Sequence, residues 1–270
     1  MAFFTNNIKY EVDCLMSSYK GIKKFLFGSK IFRGAFSKVL RFVLNSKYLD
    51  SFLKDDVVDN LYANIFADLN ISIDVSDEDL EKIPTDTPLI VIANHVSAPI
   101  DWMIISEVLA KKLKKKTYVA TYSTSALLND GTAMYVDQGR SFYKQCLEKL
   151  WNGHAIVIFP TGSVERIYTF DKHWKDSQEF KSGFLKIAQK AGAAILPMHV
   201  DLEAHPLRHV LSYIFWPLAT LFGSREMTLH RNKKIKVLIG DAVPHSIVQN
   251  QSTNSAQMSE YKNMVYELKK

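Results

Sequence analysis

The chain has 270 residues, 47% of them hydrophobic, with 34 basic and 28 acidic side chains and a net charge of +6. That length and apolar content suit one globular domain with a sizeable core and exclude disorder over most of the chain. The two cysteines, Cys14 and Cys146, exclude a disulfide framework, and neither lies in a glycine-rich elbow that would present a nucleophilic thiol.

The positive charge belongs to one N-terminal segment. No acid occurs from Cys14 to Leu49, where Lys20, Lys23, Lys24, Lys30, Arg33, Lys38, Arg41 and Lys47 fall, and the rest of the chain is slightly acidic. Phe32, Phe36, Val39, Leu40 and Val43 recur at helical spacing, with Lys30, Arg33, Lys38 and Arg41 on the opposite side. Gly21, Gly28 and Gly34 interrupt the pattern, so two or three short helices are expected over 19–48. Basic amphipathic helices of this kind lie in a membrane interface; the alternative is that the apolar stripe packs on the rest of the protein and the cations are its solvated back. No secretory signal follows Met1. The longest uncharged run, His209 to Ser224, contains Pro217 and falls short of the roughly 18 apolar residues that a spanning helix needs. The expectation is a peripheral protein on the cytoplasmic side of a membrane.

Another helix is expected over Val57 to Asp68. Leu69, Ile71, Ile73 and Val75 then alternate with polar residues, a strand pattern. Leu89 to Ala93 is a continuous apolar run, as in a strand buried on both faces. A helix follows over Pro99 to Lys112, and the cations from Lys111 to Lys116 either complement its dipole or dock an acidic carrier protein. Further strands are read over Thr117–Thr121, Ala155–Phe159, Ala194–Val200 and Ile235–Gly240, with helices over Gly139–Asn152 and Phe180–Ala191. The alternation implies an α/β fold with a mixed, largely parallel sheet flanked by helices, preceded by an N-terminal helical region. The chain divides into a basic amphipathic region over 1–56, a sheet domain over 57–247, and a polar tail with a C-terminal helix over 248–270.

Two segments carry chemistry. The first is Asn94-His95-Val96-Ser97-Ala98-Pro99-Ile100-Asp101, directly after the buried strand. Ligands of open α/β sheets bind at the carboxyl ends of strands, and Pro99 suits the first turn of a helix. His95 is therefore expected on the loop and Asp101 in the first helical turn. A neutral imidazole there takes a proton from an attacking hydroxyl or amine, while the carboxylate fixes its tautomer. On spacing alone the plainer alternative stands, in which His95 caps the helix and Asp101 is a surface acid. The second segment is Phe159-Pro160-Thr161-Gly162-Ser163-Val164-Glu165-Arg166, again after a buried strand. Gly162 permits close backbone approach, exposed amides there bind anions, and Arg166 suits a phosphate or carboxylate; an ordinary turn is the alternative. His154, His173, His199, His205 and His209 show no metal-ligand spacing, so no metal is expected.

Asn-His-x-Ser-…-Asp followed by Phe-Pro-x-Gly, with a late Leu196-Pro197-Met198, resembles the glycerolipid acyltransferase superfamily, the relatives of lysophosphatidic acid acyltransferase. The Ile83-Pro84 to His95 stretch, the Phe-Pro-x-Gly-x-Val segment and Arg225-Glu226 are nearest its hemolysin-like branch, which includes ornithine-lipid acyltransferases. The resemblance implies a lipid acyltransferase with His95 as general base and Asp101 as its orienter. Asn94, Ser97, Arg140, Thr161, Gly162, Ser163 and Arg166 are the implied substrate contacts. It implies no cofactor, acyl-CoA or acyl-carrier protein as donor, a lysolipid or aminolipid acceptor, a place in phospholipid biosynthesis, membrane lipids as partners, and no nucleic acid. Three departures stand out. Five residues separate His95 from Asp101 where four are commonest, Thr161 replaces the family's usual glutamate, and Gln138 falls where an arginine is usual, with Arg140 two residues on. The last two argue against lysophosphatidic acid as acceptor. A non-catalytic membrane-binding protein on a degenerate acyltransferase fold, or a thioester hydrolase, are the rival readings.

Overall fold

A computed structural model describes residues 61–97, 100–113, 116–121, 132–162, 179–203 and 227–269. The basic N-terminal region, Ser163, Arg166 and the uncharged run after His209 lie outside the described residues. In chain order the elements are α1 (Leu61–Asp68), β1 (Ser72–Asp74), α2 (Asp77–Glu81), β2 (Leu89–Ala93), α3 (Ile100–Ala110), β3 (Thr117–Thr121), β4 (Ala133–Tyr135), α4 (Arg140–Trp151), β5 (Ala155–Ile158), α5 (Gly183–Ala191), β6 (Ala194–Asp201), β7 (Lys234–Ile239), α6 (His245–Val248) and α7 (Ser255–Tyr266).

Leu89–Ala93 carries no polar side chain because β2 has a strand on each edge and apolar side chains packed on both faces. The seven-stranded sheet runs β1-β7-β6-β2-β5-β3-β4. Every pair is parallel except β6 with β7. This is the expected mixed, largely parallel α/β sheet. Leu89, Val91 and Ala93 point into one core with Ile65 and Phe66 of α1 and Met103, Ile104 and Val108 of α3. Ile90 and Ile92 point into the other, with Leu150 of α4, Phe184 and Ile187 of α5, and Tyr261 and Val265 of α7. Each of these larger apolar side chains contributes about 1.5–3 kcal/mol when fully buried.

The parallel pairing fixes where the chemistry sits. β2, β5, β3 and β4 all end at the same side of the sheet, so the segments that leave β2 and β5 emerge as neighbours. Register pairs Ile92 with Ile158, which brings the loop after Ala93 beside the turn after Ile158. β4 lies three strands from β2, about 14 Å across the sheet at ~4.8 Å per step.

The C-terminal helix is part of the fold rather than an appendage to it. Met258, Tyr261 and Val265 of α7 are buried in the second core. The Tyr261 ring meets Phe184 edge-on at 5.2 Å, its hydroxyl hydrogen-bonds Gln251, and Lys269 closes an ion pair with Asp201 at the end of β6 at 2.7 Å. Polar residues between Gln249 and Gln257 make this stretch read as a tail, but the apolar positions of α7 recur at helical spacing and cover the sheet.

Candidate active site

His95 leaves the end of β2, and Asp101 occupies the first turn of α3. The reversal between them brings their side chains together, with His95 Nδ1 2.8 Å from Asp101 Oδ2. The same carboxylate oxygen accepts the backbone N–H groups of Val96 and Ser97, each at 3.1 Å. The other oxygen accepts the Trp102 N–H at 2.9 Å. Only 1% of the Asp101 side chain is exposed, against 13% for His95. Asp101 is thus a buried, fully bonded carboxylate, and the reading of it as a surface acid does not hold. Burial alone raises its carboxyl pKa; the His95 charge and hydrogen bond, with the Ser97 and Trp102 amides, outweigh that and hold it below its ordinary value.

The second segment packs on the first. The Phe159 ring stacks on the His95 imidazole with centroids 4.1 Å apart and planes 14° from parallel. One edge of the imidazole is therefore held by Asp101 and one face by Phe159. Nδ1 is engaged, so Nε2 is the nitrogen left to meet a substrate proton. An imidazole whose far nitrogen is tied to a fixed carboxylate can act chemically as the base-and-orienter half of a triad does.

The remaining expected contacts take different places. Asn94 is buried, and its amide is committed at both ends to β6: Nδ2 donates to the Val200 carbonyl and Oδ1 accepts the Val200 N–H, each at 2.9 Å. It ties the end of β2 to β6 and so steadies the loop that carries His95. Ser97 is buried and serves the carboxylate through its backbone. Thr161 is buried in the turn after β5. Gly162 adopts φ +70, the left-handed region that favours glycine. Its own N–H donates to the Phe159 carbonyl at 2.9 Å, so that amide closes the turn and is not offered to an anion. Arg140 is exposed at the first position of α4, beyond the edge strand β4.

Lys181 is a site neighbour that the sequence does not announce. Its N–H donates to the Pro160 carbonyl at 2.9 Å, and its side chain lies over Gly162: a Cβ there would stand 2.5 Å from Nζ and 3.2 Å from Cε. Cys146 is buried and burial pushes its thiol up to about 12, which removes it as a nucleophile. Among the described residues no group of three His, Cys, Asp or Glu side chains is placed to hold a metal ion, and no helix is long and apolar enough to cross a membrane.

The acyltransferase family model matches residues 74–201. That span runs from the end of β1 through β6 and contains both segments. A human protein described as a DGAT1/2-independent enzyme synthesizing storage lipids is 23% identical over 179 residues, which is 62% of this chain and 52% of that protein. Its bovine counterpart is 22% identical over 182 residues, 62% of this chain and 51% of that protein. The chain thus spans about half the length of the curated relatives it matches. The crystal structure of the 1-acyl-sn-glycerophosphate (LPA) acyltransferase PlsC from Thermotoga maritima aligns over 87% of this chain and 92% of that chain at 18% identity and a TM-score of 0.40, too loose a superposition to carry an argument.

Proposed function

We propose that the protein transfers a fatty acyl chain from a thioester, acyl-CoA or acyl-carrier protein, to a hydroxyl or amine of a lysolipid or aminolipid. The observation that carries this reading is the His95–Asp101 pair, 2.8 Å apart, with the carboxylate held by three backbone amides. Neutral His95 donates Nδ1–H to Asp101, which leaves the Nε2 lone pair as the base. As the acceptor oxygen or nitrogen attacks the thioester carbonyl, Nε2 takes its proton, and Asp101 stabilises the imidazolium that forms. The tetrahedral intermediate then collapses with cleavage of the C–S bond. The departing thiolate recovers the proton from Nε2, and the imidazole returns to its starting state.

A lipid acceptor is favoured by the human and bovine relatives, whose description is of enzymes synthesizing storage lipids, and by the basic, apolar-striped segment before residue 48, which suits work at a membrane surface. Thr161 and Gln138 put no charge where glycerol phosphate recognition is expected, which favours an acceptor other than lysophosphatidic acid. Lipid mass spectrometry of cells expressing wild type against His95→Ala tests the reading. An acylated lipid that accumulates only with wild type is the expected result. Identical lipid profiles, or free fatty acid as the sole product, would overturn it.

A further inference from the structure

Three connected contacts lead from the base to a cation. The His95 ring lies on Phe159. Phe159 opens a turn that closes on the Gly162 N–H, so the two ends of that turn are within about 7 Å. Lys181 then lies over Gly162, with Cδ 3.3 Å and Cε 3.2 Å from the place a Cβ would occupy. The lysine is anchored from behind. Phe180 is buried in the second core, its ring tilted against Tyr266 at 6.4 Å, and the Lys181 N–H is fixed to Pro160. The stem is therefore laid across the face of the one residue in the turn that has no side chain to resist it.

The exposed Lys181 forms no ion pair among the described residues, and neither Thr161 nor Gly162 supplies a charge. The glycine's amide is already bonded within the turn. What the turn offers an anion is the lysine. We propose that Lys181 binds a phosphate ester of the substrate at the turn 159–162, whose Phe159 packs on His95. This rests on the acyl-transfer reading for the identity of the substrates. A lysine ammonium is a compact point charge suited to phosphate, and the phosphate has two sources: the phosphopantetheine arm that acyl-CoA and acyl-carrier protein share, or the headgroup of the acceptor. Charge-assisted hydrogen bonds contribute about 1.5–3 kcal/mol, a ten- to hundredfold effect on affinity.

Binding of four probes to the full chain separates these sources without needing turnover. Calorimetry would compare 4′-phosphopantetheine with pantetheine, and lysophosphatidylglycerol with monoacylglycerol, on wild type, Lys181→Met, Lys181→Arg and His95→Ala. Wild type should prefer the phosphate-bearing member of at least one pair. Lys181→Met should lose that preference by about tenfold or more, while Lys181→Arg and His95→Ala keep it. The pair that responds identifies the source. Wild type with no preference in either pair, or a preference that Lys181→Met leaves intact, would overturn the proposal. A preserved preference in a protein that transfers no acyl group would instead count against the acyl-transfer reading and leave the phosphate contact standing.

Discussion

Asp101→Asn is the sharpest perturbation of the pair, because it keeps the shape and removes only the charge and one acceptor. The carboxylate receives four donors: His95 Nδ1–H, Val96 N–H and Ser97 N–H on one oxygen, and Trp102 N–H on the other. An asparagine has a single oxygen to offer. Placed toward His95, it leaves the amide NH₂ facing the Trp102 N–H, donor against donor, at a cost of about 1–3 kcal/mol. Placed the other way, it opposes two backbone donors and donates to Nδ1, which drives the imidazole proton to Nε2 and abolishes the base. The first orientation is therefore preferred. The variant should fold with about 1–3 kcal/mol less stability and lose roughly 10²–10⁴-fold in turnover, since the imidazolium is no longer stabilised. Urea unfolding and the rate of thiol release from a thioester donor measure the two terms. The pH dependence adds a third. The folded-state pKa of Asp101 lies below its ordinary 3.8, so its contribution is complete above that value and is lost as pH falls through the depressed one. Asp101→Asn should lose that part of the acid limb of stability. A folded Asp101→Asn protein that releases thiol at the wild-type rate would refute the role given to the carboxylate.

Asn94→Ala should behave as a structural lesion, leaving the Val200 N–H unpaired at about 1–3 kcal/mol while the Val200 carbonyl keeps the Leu202 N–H; a urea midpoint equal to wild type would show that the tether is dispensable. Tyr261→Ala should cost about 3–5 kcal/mol, as for other large buried aromatics, read by thermal unfolding, and an unchanged melting temperature would mean that α7 is not part of the core. The full chain should co-sediment with anionic liposomes at low salt and less so at high salt, because screening weakens surface attraction. Deleting residues 1–47 should abolish that binding, and undiminished binding would locate the anchor elsewhere.

The parts of this fold that were legible in the sequence are those with a strong local pattern. Leu89–Ala93 reads as a doubly buried strand because five consecutive apolar residues allow little else, and its neighbours confirm it. The meeting of His95 and Asp101 follows from a strand end, a proline and a helix start. What the sequence leaves obscure depends on partners distant along the chain. Asn94 looks like a ligand contact beside a catalytic histidine, yet its amide is claimed by Val200. β4 is three residues at the sheet edge, too short for any periodicity to declare it. Lys181 resembles any surface cation ahead of a helix until the turn 159–162 is seen beneath it.

The most direct measurement of the central claim is thiol release from a long-chain acyl-CoA or acyl-carrier protein in the presence of a lipid acceptor, with purified wild type and His95→Ala. The His95–Asp101 account predicts a folded variant, by circular dichroism, with turnover reduced at least ~10²-fold. A folded His95→Ala protein that transfers acyl groups at the wild-type rate would contradict it.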